Sequence, residues 1–290
     1  MHYLMLTGAA LLLGVDFALN KVYQKFYGIS PRSAFFFNSL LGIVTAVIFF
    51  CINGFSFHFS LYSFIMAGLM SLCVMCYNII GFRLLKSGTM AMYTLFLMTG
   101  GMVLPYIWGL FFLDEKFSIL RTVGLAVILS GVVLSNFSGN KINKKQILMC
   151  IAVFLLNGCT SIVSKMHQTS VAFESVNAAE FIILGGIFKF LFAGILFLIS
   201  KKPSDSKDNN RTSLKKAVII ITASAAIGGI SYMFQLLGAE VLPATVLYPF
   251  ITGGSIVFST IIGVICFREK LSLKLIVSVL LCFAGTVMFL

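Results

Sequence analysis

The sequence predicts an all-α membrane protein in which ten transmembrane helices form two inverted five-helix repeats. Three observations support this fold class. Of the 290 residues, 59% are hydrophobic and only 10% are charged, and the mean hydropathy is +1.04. Apolar runs long enough to cross a bilayer recur along the chain, and the second half of the chain repeats the first. Soluble domains carry about 25% charged residues, so the composition excludes an ordinary soluble protein.

The ten spans follow from the need for about 20 mostly apolar residues in each. The first run lacks the basic segment of a signal peptide and continues past Asp16 and Asn20, which indicates a membrane span. The longest hydrophilic stretch, 201–216, is interpreted as a flexible surface loop. The predicted spans are residues 3–22, 33–52, 61–82, 89–112, 119–137, 147–165, 177–200, 217–238, 243–266 and 273–290.

The ends of the two halves align without gaps. Residues 113–136 and 267–290 are identical at six positions, which include a Glu-Lys pair at the start of each segment. The identical pairs are Glu115/Glu269, Lys116/Lys270, Ser118/Ser272, Val123/Val277, Gly131/Gly285 and Val133/Val287. Self-similarity at this separation predicts an internal repeat.

The beginnings of the two halves match as well. Gly14 and Lys21 correspond to Gly158 and Lys165, and later Tyr77 and Tyr93 correspond to Tyr232 and Tyr248 at one shared offset. We therefore place the repeats at residues 1–140 and 141–290. Each repeat holds five spans, an odd number, so the second repeat enters the bilayer from the opposite side. Inverted repeats of this kind are typical of secondary transporters, whose site lies near the bilayer midplane.

Lysine and arginine residues predict the orientation. The connections that follow the odd-numbered spans, with their flanking span ends, hold 17 of the 21 Lys and Arg residues; the opposite side holds only Lys116, Arg121 and Lys165. The positive-inside rule places the 17-charge side in the cytoplasm and both termini outside. Because the basic residues are spread over short loops and form no stripe, the net charge of +12 does not indicate a nucleic-acid partner.

The sequence also argues against an intramembrane enzyme. An aspartyl protease needs two carboxylates that share a proton, and Asp16 has no Asp partner within the spans. The three histidines, His2, His58 and His167, are predicted at span ends or in loops rather than in a cluster that could hold zinc. Cys73 and Cys76 form a lone C-x-x-C, which is interpreted as helix packing. We therefore predict no catalytic residues, no metal and no cofactor.

Charged residues inside membrane spans are costly and usually face an interior cavity. Lys189 lies at the middle of span 7, with Gly185 and Gly186 one turn earlier leaving room beside it. Lys189 is predicted either to bind an anionic substrate group or to form an internal salt bridge. Asp16 lies in span 1 with Asn20 one turn on. It is predicted to be a protonatable coupling site, the counter-ion of Lys189, or a polar packing residue.

Uncharged polar residues recur at equivalent places in both halves. Tyrosine offers a hydroxyl group and a ring face that could bind a cation, although interfacial anchoring is the alternative for any single tyrosine. The predicted substrate-binding set is Lys189, Asp16, Asn20, Tyr77, Asn78, Tyr93, Tyr232, Gln235 and Tyr248, with Asn38 and Asn157 as lesser candidates.

Other residues have predicted structural roles. Glu180, nine residues before Lys189, is expected on the opposite side of span 7 and at the membrane interface. Glu115 is expected to cap a helix or fix a loop. Gly100–Gly101 and Gly253–Gly254, each near a proline, interrupt spans 4 and 9, where they could serve either bending or close helix packing.

The fourth-span sequence LPYIWGLFFLDEK is followed by the pattern S-x-L-x-x-x-G, which begins at Ser118, and then by an apolar run that ends in glycine. This segment resembles the drug/metabolite transporter superfamily and its ten-span, two-domain EamA-type members. The first span, LLLGVDFALNK, is similar to that family's pattern, with Leu13 in place of a tryptophan, then Gly14 and Lys21. The second copy, LLNGCTSIVSK, matches at Gly158 and Lys165. Asn38 stands where many relatives have an arginine.

The resemblance implies two inverted five-helix bundles around a central cavity, with spans 5 and 10 at the periphery. It implies a multi-pass protein of the cell membrane, of bacterial inner-membrane type, whose partners are lipids and a small-molecule substrate. The expected function is alternating-access transport of a small organic metabolite such as an amino acid or drug, usually as efflux and coupled to protons or exchange. The alternatives are uptake of a sugar or organic cation and flipping of a lipid-linked substrate. A monomer and a homodimer remain open.

Overall fold

The computed structural model describes residues 2–28, 30–86, 90–136, 143–200, 211–268 and 272–290, and these contain ten α-helices and no strand. The helices are α1 (His2–Tyr27), α2 (Pro31–Ile52), α3 (Leu61–Lys86), α4 (Met90–Phe112), α5 (Ile119–Asn136), α6 (Lys144–Gln168), α7 (Ala178–Ile199), α8 (Arg211–Val241), α9 (Ala244–Phe267) and α10 (Leu273–Val287).

The predicted all-helical membrane fold is confirmed. Nine of the ten helices in the described part of the chain are long and apolar enough to cross a membrane. The tenth, α10, has 15 residues and is therefore about 22 Å long, shorter than a typical hydrocarbon core. By contrast α8 has 31 residues, because its basic first turns extend the helix beyond the predicted span.

Successive helices cross the bundle in opposite directions, which separates the connections into two groups. We call the basic end the one that carries the connections after α1, α3, α5, α7 and α9. We call the terminal end the one that carries the remaining connections, the start of α1 and the end of α10. The connections 53–60, 113–118 and 169–177 lie at the terminal end.

The first helix of each half packs against the other half. Helix α1 packs against α8 and α9, and α6 packs against α3 and α4. Helix α2 lies against α7 and α4 lies against α9. Residues 1–140 and 141–290 therefore pack closely together. Each packed pair has an equivalent in the other half: the contact of α1 with α8 corresponds to that of α6 with α3, and the contact of α1 with α9 corresponds to that of α6 with α4. This is the pattern expected of two repeats, whose division at residue 140 stays a prediction.

Helices α5 and α10 form a peripheral pair that uses its small residues internally. A Cβ on Gly131 would lie 2.8 Å from Cys282 Sγ, and one on Gly285 would lie 2.7 Å from the Gly124 carbonyl oxygen. Ser278 Oγ donates a 2.6 Å hydrogen bond to the Gly131 carbonyl oxygen. The small faces of α5 and α10 are thus occupied by each other.

The glycines near Pro105 and Pro249 also serve close packing. A Cβ on Gly100 would collide with the backbone of Phe154 on α6, and one on Gly253 would collide with Thr286 on α10. Each proline lies within a continuous helix. The structure therefore supports the packing role that the sequence left open, and bending at these glycines stays a prediction.

Candidate functional site

Asp16 is held against α8 by short polar side chains. Asn20, one turn along α1, donates a 3.2 Å hydrogen bond from Nδ2 to one carboxylate oxygen. Ser224 Oγ of α8 donates to the other oxygen. A Cβ on Gly228, one turn after Ser224, would lie 3.2 Å from the Asp16 carboxyl carbon. Ser224 and Gly228 thus form a notch in α8 that receives the Asp16 carboxylate.

Lys189 lies on the inward face of α7. Gly185 and Gly186, one turn before it, and Ala193, one turn after it, are buried, whereas Phe190 and Leu191 are exposed on the outer face. Lys189 shares the inward stripe, yet its side chain is only partly buried. Its position at the middle of α7 agrees with the sequence prediction.

Asp16 and Lys189 interact electrostatically without forming a direct ion pair. Each contributes to the electrostatic environment of the other. Within the described residues, however, the Lys189 ammonium donates no hydrogen bond and contacts no carboxylate. A charge at the centre of a membrane helix costs about 2.5–3.5 kcal/mol on insertion scales. Asp16 and Lys189 are therefore two mid-helix groups that interact electrostatically without touching.

The tyrosines of the second half are bound to α6. Tyr232 and Ser164 share a 2.7 Å hydrogen bond between their hydroxyl groups, and the Tyr232 hydroxyl lies 3.0 Å from Met70 Sδ. Tyr248 donates a 2.6 Å hydrogen bond to the Ser161 carbonyl oxygen. These contacts join α8 and α9 to α6 in the half of the bundle nearer the terminal end.

The two site tyrosines of the first half, Tyr77 and Tyr93, differ from Tyr232 and Tyr248 within the described part of the chain. Neither Tyr77 nor Tyr93 forms a side-chain hydrogen bond with the described residues, and the same is true of the Asn78 amide. The Tyr93 ring lies over Gly81, where a Cβ would come within 2.6 Å of it. Tyr77 is close enough to Tyr93 and Tyr232 to interact with both electrostatically.

The four site tyrosines therefore form a series across the bundle, in the order Tyr93, Tyr77, Tyr232 and Tyr248. Tyr248 interacts electrostatically with Tyr232, and Tyr232 with Tyr77. Gln235 lies beyond this series and donates a 3.4 Å hydrogen bond to Ser231 Oγ, which in turn donates to the Ala9 carbonyl oxygen. The structure thus brings together Asp16, Asn20 and Lys189 as one group and the tyrosines as another, with Gln235 bound to the α1–α8 contact.

Glu115 and Lys165 fasten the turn between α8 and α9. Lys165 Nζ donates hydrogen bonds of 2.6 and 2.8 Å to the carbonyl oxygens of Ala239 and Leu242, at the negative end of α8. The Glu115 carboxylate accepts from the backbone N–H groups of Ala244 and Thr245, at the positive start of α9. The capping role predicted for Glu115 is thus present, and the buried Lys165 interacts with Glu115 electrostatically.

Glu180 lies at a helix end, as predicted, but it is enclosed by protein. Only 2% of its surface is exposed. Its carboxylate accepts hydrogen bonds from the backbone N–H of Asn177 at 3.2 Å and from that of His58 at 2.9 Å, and the His58 ring Nδ1 lies at 2.9 Å. Glu180 therefore joins α7 to the α2–α3 connection at the terminal end and takes no part in the group around Lys189.

His167 is another residue whose environment the sequence did not reveal. It lies at the end of α6, fully buried, with its ring stacked on Phe181 at a centroid distance of 3.9 Å. Its Nε2 lies 2.8 Å from Ser63 Oγ. Cys73 and Cys76 are free thiols, and the described residues contain no group of three metal-ligating side chains. These residues pack helices together.

The two lesser candidates, Asn38 and Asn157, form structural hydrogen bonds within the helix bundle. Asn157 Nδ2 donates a 2.7 Å hydrogen bond to the Leu97 carbonyl oxygen, which joins α6 to α4. Asn38 donates to the Ala34 carbonyl oxygen of its own helix. The residues that sequence reasoning missed, Ser224 and Ser164, are short hydroxyl residues with no distinguishing pattern of their own.

Comparison with known proteins identifies the family. The model of the EamA-like transporter family matches residues 144–290, just over half of the chain. The chain belongs to the EamA-like transporter family. Through it, the chain belongs to the drug/metabolite transporter superfamily and is a multi-pass membrane protein. The predicted resemblance is confirmed.

The fold is shared with solved structures. A protein known from its crystal structure matches 99% of this chain and 95% of its own with a TM-score of 0.77, at 14% identity. At that identity the likeness concerns the fold alone. No curated protein matches the sequence. Members of the EamA-like family are transporters, which fits the prediction that the chain has no catalytic residues.

Proposed function

We propose that this EamA-like protein is a secondary transporter that moves a small organic metabolite, such as an amino acid or a drug, across the cell membrane by alternating access. The proposed net direction is efflux, driven by protons or by exchange. Asp16, Asn20 and Lys189 form the centre of the proposed site, and Tyr77, Asn78, Tyr93, Tyr232, Gln235 and Tyr248 complete its polar lining.

One observation carries this proposal. Asp16 and Lys189 lie near the middle of α1 and α7, on surfaces turned into the bundle, without a direct ion pair. A purely structural pair would be expected in direct contact, because breaking up a buried pair leaves charges uncompensated. Two charged groups that interact without a direct ion pair suit a site whose neutralisation is completed by a solute.

Asp16 is the proposed coupling residue. A carboxylate at mid-membrane can exchange a proton for a cationic group of the solute, and Ser224 and Asn20 hold it in a fixed position. The tyrosines would provide further contacts to the solute. The Tyr77 and Tyr93 hydroxyl groups are without partners among the described residues and could bind a solute directly.

The test is uptake and counterflow in proteoliposomes, screening amino acids, sugars and organic cations while recording internal pH. Wild type is compared with Asp16→Asn and Lys189→Ala. The matched controls are Asp114→Asn and Lys145→Ala, which change the same residue types at exposed positions. We expect solute-dependent proton movement in wild type and both controls, and its loss in both site variants.

Other outcomes separate the alternatives. Transport without proton movement would exclude coupling through Asp16 and leave a facilitator or exchanger. Transport that survives both site variants would remove Asp16 and Lys189 from the site and shift it to the tyrosines. Lipid scrambling in the same vesicles, with no solute uptake above protein-free liposomes, would replace the carrier with a flippase.

A further inference from the structure

The connection between α2 and α3 is rich in exposed aromatic residues. Residues 54–60 read GFSFHFS, so phenylalanine alternates with small or polar residues in a segment that is not helical. Phe55, Phe57 and Phe59 expose 70%, 37% and 63% of their surface. The connection at the equivalent place in the second half, 201–210, reads KKPSDSKDNN and contains no aromatic residue. We call residues 53–60 the phenylalanine strap.

The polar side of the phenylalanine strap is attached to the protein. The His58 backbone N–H donates a 2.9 Å hydrogen bond to the Glu180 carboxylate, and Asn53 Nδ2 donates a 3.3 Å hydrogen bond to the same oxygen. Ser60 Oγ donates to the Glu174 carbonyl oxygen. Because alternate side chains of an extended segment point to opposite sides, these contacts leave the phenylalanine rings on the side away from α7.

The phenylalanine rings continue the outer surfaces of two transmembrane helices. Phe55 lies edge-on to Phe50 of α2 at a centroid distance of 5.6 Å, and Phe59 packs against Phe64 of α3 at 5.7 Å. Both Phe50 and Phe64 are themselves exposed. An exposed helix face that is apolar throughout is the face that lipid chains cover. On residues 61–72 of α3 the exposed side chains are Leu61, Phe64, Ile65, Leu69 and Leu72.

The backbone of the phenylalanine strap indicates its depth in the membrane. Helix α2 has 22 residues and is about 33 Å long, so the strap begins where the hydrocarbon core ends. Within the described part of the chain, the N–H groups of Phe57 and Phe59 have no hydrogen-bond partner. Lipid chains cannot satisfy such groups, whereas water and headgroup oxygens can. The boundary between headgroups and lipid chains therefore suits both the N–H groups and the rings.

We propose that the phenylalanine strap is a membrane-binding element at the terminal end. Its backbone lies among the lipid headgroups, and the rings of Phe55, Phe57 and Phe59 enter the outer part of the lipid chains. The partner is a lipid surface because the rings extend the lipid-facing sides of α2 and α3. The strap contains no Lys or Arg, so its binding does not require anionic lipids. This inference goes beyond the proposed transport function and does not depend on the solute.

Single tryptophans test the position of the phenylalanine strap. The native tryptophan is first removed as Trp108→Phe, because it is the only one in the chain. One tryptophan is then introduced at a time, on the phenylalanine side of the strap, on its other side, on the outer face of α3 or in the hydrophilic connection 201–210. These variants are Phe55→Trp, Phe57→Trp and Phe59→Trp, with the matched control Ser56→Trp and the references Leu72→Trp and Ser206→Trp.

The measurement is fluorescence quenching of the full-length protein in phosphatidylcholine vesicles. The lipids carry bromine either near the headgroup or near the chain ends, and acrylamide reports access from water. We expect tryptophan at the three phenylalanine positions to emit at shorter wavelength than Ser56→Trp and to be protected from acrylamide. Bromine near the headgroup should quench these three most. Leu72→Trp should be quenched more by bromine near the chain ends, and Ser206→Trp by acrylamide alone.

Two results would overturn the lipid contact. In the first, acrylamide quenches Phe55→Trp and Phe59→Trp as strongly as Ser206→Trp and brominated lipids do not quench them, which would place the rings in water. In the second, the two positions are protected from acrylamide without being quenched by brominated lipids, and the protection is lost when each vesicle holds one protein. A second copy of the chain would then cover the rings.

Hydrogen exchange provides a second measurement that needs no tryptophan. The double variant Phe55→Ser/Phe59→Ser is compared with Phe55→Leu/Phe59→Leu in the same vesicles. The leucine variant keeps the apolar contact with lipid, whereas the serine variant loses it. We expect faster exchange of the amides in residues 53–60 of the serine variant, and wild-type exchange in the leucine variant. Equal exchange in both variants would show that lipid does not hold the strap.

Discussion

Gly228 shows how a single residue determines the geometry at Asp16. It is the residue of α8 beside which the Asp16 carboxylate lies, and any side chain there meets that carboxylate before anything else. At 3.2 Å from the carboxyl carbon, a methyl group is tighter than an ordinary contact, so Asp16 must move by a few tenths of an ångström. Such a movement strains the hydrogen bonds from Ser224 and Asn20.

We therefore predict that Gly228→Ala lowers the transport rate while the protein still folds. Overpacking of this kind costs about 1–3 kcal/mol, which is about a 5- to 150-fold effect if it falls on the bound state. The matched control is Gly8→Ala on α1, where a Cβ would make only an ordinary contact with Phe234 at 3.7 Å. Initial transport rates at equal protein density measure the effect, and equal rates for both variants would separate Gly228 from the site.

At the scale of elements, Lys165 connects three helices through backbone groups. It reaches from α6 to the last carbonyl oxygens of α8, next to the Glu115 carboxylate that caps α9. We predict that Lys165→Met lowers the unfolding temperature strongly, because it leaves two carbonyl oxygens without their donor, and each buried unsatisfied group costs about 1–3 kcal/mol. Thermal unfolding in detergent measures this loss. Lys145→Met, at an exposed position near the start of α6, should leave the unfolding temperature unchanged.

The contact between α6 and α8 also suggests which side-chain contacts change when the protein alternates between its two conformations. Ser164 precedes Lys165 as Asn20 precedes Lys21, and Tyr232 corresponds to Tyr77 in the repeat. Ser164 and Tyr232 are in contact, whereas Asn20 is bound to Asp16 and the Tyr77 hydroxyl has no partner among the described residues. If the repeats exchange conformations, Asn20 and Tyr77 come together when Ser164 and Tyr232 separate.

Cross-linking tests this exchange. In a background without the seven native cysteines, one cysteine pair replaces Ser164 and Tyr232, and another replaces Asn20 and Tyr77. We expect a short bifunctional thiol reagent to link the first pair in one state and the second pair in the other, with transported solute changing the two yields in opposite directions. Yields of the second pair that stay at background in every condition would contradict exchange between these helices.

At the scale of the whole molecule, the sequence predicted where the helices lie along the chain better than it predicted the side-chain contacts between them. The ten helices followed from apolar length, and Asp16 and Lys189 were conspicuous because they are lone charges within apolar runs. Ser224 could not be found in this way, since α8 holds several small polar residues and only the packing of α1 selects one. Glu180 was placed at the correct depth, but its enclosure depends on residues 53–60, which fold over it.

The orientation of the whole molecule in the membrane is predicted by the charge distribution. The packing of the helices does not determine which end of the bundle faces the cytoplasm. The basic end carries 17 Lys and Arg residues, so the positive-inside rule places it in the cytoplasm and the terminal end outside. Many relatives are drawn the opposite way, which makes the measurement decisive. A reporter fused after Leu290 that is active only outside the cytoplasm should give a signal, and a reporter inserted within residues 201–210 should not. The reverse pattern would contradict the prediction from charge, and it would place Glu115, Lys165 and Glu180 on the cytoplasmic side of the proposed site.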